Sequence, residues 1–344
     1  MAQIDHLYAS LIERIEQDGH DKMDRTKTGT RSLFAERMEF DLTEGRLPLL
    51  TTKRVWVKGA IEELLWFLRG ETNIRTLKAA GVNIWDAWVD SSTAQYDAEG
   101  HLIAGECPKI YGKQWRAWDD YAVIAKAEFQ SANTEGYSVI GQTLNNQSWI
   151  VHRQIDQVRQ VLKTLKVNPA SRRILLNAWN VADLDGMALH PCHFVAQFFT
   201  RPLTLLEKTE YLERIEPTRD VQSTEVTEDT LPKYALSCQL NLRSNDLPLG
   251  FCFNVAQYAV LTHLFAHLSG MLPERLIWIG GDVHVYNNQW PALKEQLTRA
   301  PIEDSDPRLH IHPDVKDIDQ LTAAHLQVTG YKSHPPIKFP PAAV

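Results

Sequence analysis

The stretch Tyr234-Ala235-Leu236-Ser237-Cys238-Gln239-Leu240-Asn241-Leu242-Arg243 alternates, and the small polar residues Ser244-Asn245-Asp246 after it read as a loop. Leu236, Cys238, Leu240 and Leu242 fall on one side, Ser237, Gln239, Asn241 and Arg243 on the other. A period of two with one apolar side predicts a half-buried strand. Val255 to Leu268 is a long, mostly apolar run that reads as a helix, and Leu276 to Tyr286 is again strand-like. Upstream, Ile174 to Trp179 and His193 to Thr200 have strand composition. Farther out, Lys58 to Leu68 predicts a helix that is apolar nearly all round, and Gln154 to Leu165 predicts an amphipathic one. Ile4, Leu7, Leu11, Ile12 and Ile15 keep helical spacing until Gly19, and Met38, Phe40 and Leu42 alternate as a strand. Polar segments near 89–109, 119–147 and 201–233 read as surface insertions, and no repeat or low-complexity tract interrupts the pattern. A single α+β domain over 1–344 is expected.

Composition excludes several classes. In 344 residues, 44% are hydrophobic and 23% charged, too apolar for a disordered chain. A net charge of -7 lacks the basic stripe of a nucleic-acid binder. No apolar run approaches the ~20 residues of a membrane span. Asp5 interrupts the first apolar stretch, so no signal peptide is expected. Cys107, Cys192, Cys238 and Cys252 form no CxxC pair and no disulfide framework, which points to a reducing, cytoplasmic setting. No cluster at metal-ligand spacing occurs, so no metal is expected.

Four groups of residues could carry chemistry. Cys192, between Pro191 and His193 at a strand start, fits a thiolate nucleophile or a small buried hydrophobe. Arg243 with Ser244, and the pair Arg172 and Arg173, fit anion binding or ordinary surface charge. His284 and Tyr286 lie two residues apart on one strand face, after Gly280-Gly281, and fit hydroxyl binding or a capped strand. Glu63 projects from a helix that is apolar nearly all round, next to Trp66 and Phe67. A carboxyl there is desolvated and tuned toward proton transfer, or else is paired with an arginine. Together a candidate nucleophile, a tuned carboxyl, anion-binding arginines and hydroxyl-binding groups make a kit for covalent chemistry on a phosphorylated nucleoside, while no P-loop or GxGxxG supports phosphoryl transfer or a Rossmann cofactor.

The chain resembles the thymidylate synthase family through a series of stretches in the family's order. They are Asp24-Arg25-Thr26, Pro48 to Arg54, Glu63 to Gly70, Ile84-Trp85-Asp86, Tyr111 to Arg116, Ser171-Arg172-Arg173 and Pro191-Cys192-His193. Arg243-Ser244 with Asp246, Phe253-Asn254, Gly281 to Tyr286 and Gly330-Tyr331 complete the series. The resemblance implies a large mixed β-sheet packed against helices. It also implies reductive methylation of dUMP to dTMP, with 5,10-methylenetetrahydrofolate as co-substrate and release of dihydrofolate. In that reading Cys192 adds to C6 of uracil, Glu63 relays protons through water, Tyr111 assists loss of the C5 proton, and His193 supports the water network. Arg25, Arg243 and Ser244 grip the phosphate, Asn254 bonds the pyrimidine N3 and O4 and distinguishes uracil from cytosine, and His284 and Tyr286 hold the 3′-hydroxyl. Arg172 and Arg173 reach the opposite subunit of a homodimer. Folate meets Ile84, Trp85, Trp88, Leu189, Gly250 and Phe253, with Asp246 on the pterin, Lys53 on the glutamate tail and Ala343 in a closing C-terminal tail.

Some positions depart from the family's pattern. Cys252 stands where Pro is usual, Gln289 where His is common and Lys27 where Gly is frequent, and the tail is one residue longer. Two other outcomes are compatible with the resemblance. One is a dUMP hydroxymethylase that quenches with water and releases tetrahydrofolate. The other, a weak RNA-binding role, gains nothing from the negative net charge.

Overall fold

The computed structural model describes residues 3–23, 27–89, 95–96, 102–129, 134–215 and 231–340. Chain order begins with α1 (Gln3–Asp18), β1 (His20–Lys22), β2 (Thr30–Asp41), α2 (Val57–Leu68), α3 (Arg75–Ala79), β3 (Gln95–Tyr96), β4 (Leu102–Ile103) and α4 (Tyr111–Arg116). It continues through β5 (Trp118–Ala125), β6 (Ser138–Gln142), β7 (Ser148–Ile155), α5 (Gln157–Val167), β8 (Leu175–Asn177), β9 (His193–Pro202) and α6 (Leu205–Ile215). The last elements are β10 (Tyr234–Asp246), α7 (Gly250–Ser269), β11 (Leu272–Tyr286), α8 (Trp290–Leu297), β12 (Arg308–Ile311) and β13 (Leu326–Thr329).

The alternating stretch lies in the strand β10, near the middle of a mixed sheet ordered β1-β2-β11-β10-β9-β8, and the strand continues through Ser244-Asn245-Asp246, which pair with β11 instead of forming a loop. β10 and β11 run parallel, because α7 carries the chain back between them, and the other pairs are antiparallel. Leu236, Cys238, Leu240 and Leu242 are buried as their alternation requires, together with Trp278 of β11 and Phe198 of β9. The inner face packs on α7, whose residues are buried on every side. Gly270 ends α7 in the left-handed conformation (φ 67°), and Met271 N–H closes the last turn on the Ala266 carbonyl. Where β10 and β11 approach near their ends, a Cβ at Gly281 would lie 2.8 Å from the Arg243 carbonyl, so only glycine fits.

Two expectations are refined. The amphipathic helix starts at Gln157, because 148–155 is the strand β7 and Asp156 caps the helix by accepting the Arg159 N–H. The segment near 119–147 contributes β5 and β6, which join β7 in a three-stranded antiparallel sheet. Among the described residues, no helix is long and apolar enough to cross a membrane.

Asp5, which breaks the apolar pattern of α1, is buried and accepts five hydrogen bonds from the backbone and hydroxyl groups of Thr51 and Thr52 at 2.8–3.1 Å. It fastens α1 to the turn that leads into Lys53. Asp5→Ala strands those donors in the interior and is expected to cost about 3 kcal/mol in urea unfolding. A loss well under 1 kcal/mol would show that the turn is held by packing alone.

Candidate active site

The start of β9 presents Cys192, and the end of β10 presents Arg243 beside it. Arg243 Nε donates to the Pro191 carbonyl at 2.9 Å and Nη2 to the His190 carbonyl at 2.8 Å. These two bonds pin the guanidinium so that Nη2 stands 3.7 Å from Cys192 Sγ. Burial pushes the thiol pKa up and the Arg243 charge pulls it back down, with Asp246 opposing. The Cys192 backbone N–H donates to the Tyr111 hydroxyl at 2.7 Å, which leaves that hydroxyl's own proton to be directed elsewhere.

His193 stacks on the Tyr111 ring at 3.9 Å with an interplanar angle of 7°. Its Nδ1 is 2.9 Å from the Tyr258 hydroxyl. Burial lowers its pKa to about 3, so the imidazole is neutral near pH 7.

Glu63 lies on α2 with both oxygens occupied. Oε1 accepts from Trp85 Nε1 at 2.6 Å and Oε2 from Gln257 Nε2 at 2.5 Å. Among the described residues the alternative of an arginine partner is not realised, since both donors are neutral. Burial raises the carboxyl pKa to about 7, against the lowering effect of the two donors. A group poised there exchanges a proton readily in either direction near neutral pH.

Asn254 and Asp246 form the next part of the cleft. Asn254 Oδ1 accepts from Asn245 Nδ2 at 3.0 Å. Asp246 accepts from Gln289 Nε2 at 3.1 and 3.3 Å and from the Leu249 N–H at 3.3 Å, and burial raises its pKa. Gln289 is fully buried, and its Oε1 accepts the Tyr286 N–H at 3.0 Å, which ties the end of β11 to the Asp246 carboxylate. His284 and Tyr286 meet edge to face at 5.2 Å. Asp282, hydrogen-bonded by His284 at 3.2 Å and by Lys22 at 2.8 Å, is lowered to about 2. Ser244 pairs with Asp282 across the parallel strands, and Gly250 opens α7 beside Asn245 and Asn254.

An apolar wall borders these groups. Trp85 is buried, while Ile84, Trp88, Leu189 and Phe253 are partly buried against the same core. Lys53 is turned inward, donating to the Pro248 carbonyl, with its ammonium 4.3 Å from the centre of the Phe339 ring. Arg25 and Ala343 lie outside the described residues.

Arg172 and Arg173 are not brought to this cleft. Both are exposed, just before β8, where Phe198 N–H bonds to the Ile174 carbonyl. Phe198 lies six residues along β9 from Cys192, roughly 20 Å at strand spacing. Gln257, Tyr258, Asn245 and Gln289 belong to the site without having been singled out as site residues. For Gln257 and Tyr258 the available signal was the one that exposed Glu63, a polar group inside an apolar helix.

The strand ends of a mixed α+β fold thus gather a thiol, a fixed guanidinium and the buried Asp246 carboxyl, with Glu63 of α2 close to Tyr111. The family model described as thymidylate synthase matches residues 6–343, nearly the whole chain, and the chain belongs to the thymidylate synthase family.

Two measurements test the electrostatics. Arg243→Ala removes the charge that lowers the Cys192 pKa, so iodoacetamide alkylation at neutral pH is expected to slow roughly tenfold and to recover at higher pH. An unshifted pH–rate profile would refute that assignment. Glu63 keeps its proton in the folded state up to about pH 7 but loses it near 4.5 when unfolded. Its contribution to stability is therefore complete below about 4.5 and is lost as pH rises to about 7. Glu63→Gln is expected to gain on the parent protein in urea midpoint across that window. His193 titrates in both proteins and drops out of the difference, so a flat difference would contradict a buried, protonated Glu63.

Proposed function

We propose that the protein catalyses the reductive methylation of dUMP to dTMP, as one catalytic domain over 1–344 with the segments near 89–109, 119–147 and 201–233 outside the chemistry. The observation that carries this reading is the Cys192 thiol held against the Arg243 guanidinium, in a chain matched to the family from end to end. Cys192 adds as thiolate to C6 of the uracil, which makes C5 nucleophilic, and leaves again when the product forms. Arg243, Ser244 and Arg25 take the phosphate, His284 and Tyr286 the 3′-hydroxyl, and Asn254 the pyrimidine edge.

Glu63 moves protons through water at O4, a task suited to a pKa of about 7. Tyr111 receives the Cys192 N–H and so can orient its hydroxyl proton toward a water that takes the C5 proton. His193, neutral and stacked on Tyr111, holds that phenol in place.

Bound 5,10-methylenetetrahydrofolate supplies the one-carbon unit and the hydride and departs as dihydrofolate. The aromatic wall of Trp85, Trp88 and Phe253, with Ile84 and Leu189, suits a stacked pterin, and the buried Asp246 carboxylate suits its N–H groups. Gly250 borders this pocket, and Ala343 belongs to the tail that closes it. Lys53 takes the glutamate tail of the folate, and its charge lowers the pKa of the nearby Asp246 carboxyl. Trp85, buried and bonded to Glu63, keeps water from the reacting carbon and favours methylation over dUMP hydroxymethylation.

A homodimer is part of this reading. Arg172 and Arg173 have no ion-pair partner among the described residues and lie too far from their own cleft to serve it. Phe34, Leu175 and Phe199 are exposed on the sheet face opposite the core, which gives a second copy an apolar surface to cover.

Incubation with dUMP and 5,10-methylenetetrahydrofolate is expected to yield dihydrofolate absorbance together with a methyl-mass nucleotide. Cys192→Ser is expected to reduce turnover by at least about a thousandfold. A product heavier by one oxygen, without dihydrofolate, would assign hydroxymethylation instead, and no turnover would refute the reading.

A further inference from the structure

Asn254 is oriented by a second amide. Asn245, on β10, is 2% exposed, and its Nδ2 donates to Asn254 Oδ1 at 3.0 Å. Its own Oδ1 is enclosed and has no hydrogen-bond partner among the described residues. Turning Asn245 over would strand its NH2 group in place of that carbonyl, and an orphaned donor is the rarer and costlier outcome. The arrangement therefore favours a donor facing Asn254, which keeps Oδ1 of Asn254 on the Asn245 side.

A carboxamide rotated by half a turn presents the opposite pattern of donor and acceptor. Uracil offers an N3–H donor beside the O4 acceptor. Cytosine offers an N3 acceptor beside the N4 amino donor. A freely turning Asn254 matches either base, so the orientation in which it is held decides between them. We infer that Asn245 is the specificity-setting residue of this site: by donating to Asn254 Oδ1 it locks the carboxamide in the orientation that accepts uracil and rejects cytosine.

The carbonyl oxygen has a second lone pair for N3–H, and Nδ2 remains to donate to O4. Turning Asn254 to suit cytosine would set its NH2 against the Asn245 NH2, with no acceptor between them. One lost hydrogen bond and one stranded donor correspond to roughly ten- to a hundredfold in discrimination. Asn245 is a positioning residue, since it acts on the base only through Asn254. The inference rests on the dUMP reading above and deepens it.

The test compares Asn245→Ala and Asn245→Asp with the parent protein. Binding of dUMP and of dCMP is measured by calorimetry without folate, and kcat/KM for both nucleotides is measured with it. Thermal melting establishes which variants are folded. The parent is expected to prefer dUMP. Asn245→Ala frees the carboxamide and is expected to narrow the dUMP to dCMP ratio by roughly tenfold, chiefly by improving dCMP. An ionised Asp at 245 only accepts, so Asn245→Asp draws Nδ2 of Asn254 toward itself and is expected to move the preference to dCMP. Should the Asp variant fail to fold, the Ala variant decides alone. A folded Asn245→Ala that keeps the parent ratio would overturn the inference, as would a parallel loss for both nucleotides, which marks a purely structural role. A parent protein that binds and turns over neither nucleotide would overturn the dUMP reading itself, and this inference with it.

Discussion

Helix α7 has no side that can face water, and enclosing it dictates the layout around it. Its buried residues run from Phe251 to Leu268 with few breaks. β10 and β11 cover one side, while α2 and α5 pack against other parts of the helix. Because α7 also connects β10 to β11, its burial forces those two strands to run parallel in an otherwise antiparallel sheet. The strand ends that carry Arg243, Asp246, His284 and Tyr286 are thereby brought to the same edge as the helix start.

The same helix supplies the polar floor of the cleft. Asn254, Gln257 and Tyr258 stand at positions i, i+3 and i+4, so they share one face. Each would be costly in so apolar a helix without a partner, and each has one: Asn245, Glu63 with the Ala60 carbonyl, and His193. The burial that stabilises the core thus selects which side chains can stand in the site.

Charge is handled in two contrasting ways. Among the described residues Glu63 is served by an indole and an amide alone, and burial leaves its pKa near 7. Asp282, a carboxyl of the same chemistry, meets Lys22 and His284 and falls to about 2. Partners rather than residue type separate the two, as the balance of desolvation and neighbouring charge requires. The thiol lies between these cases, with burial raising its pKa and the guanidinium opposing that rise.

Patterns that act locally were legible in the sequence. Alternation in 234–243 marked β10 and its buried side, and the apolar run from Val255 marked α7. The position of Glu63, three and four residues before Trp66 and Phe67 in a helix apolar nearly all round, marked it as desolvated, because helical periodicity places it among large hydrophobes. Motif spacing identified the family that the whole-chain match then established. What pairs with what was decided only by the tertiary structure. Trp85 and Gln257 on Glu63, 22 and 194 residues away, follow from the docking of α2 on α7 and from the approach of the segment around Trp85. The inward turn of Lys53, the Asn245–Asn254 contact and the distance of Arg172 and Arg173 from Cys192 have the same origin. Spacing along a chain sets which face a side chain takes on its own element, whereas hydrogen-bond partners and pKa depend on which other face arrives there, and that is settled by packing the core.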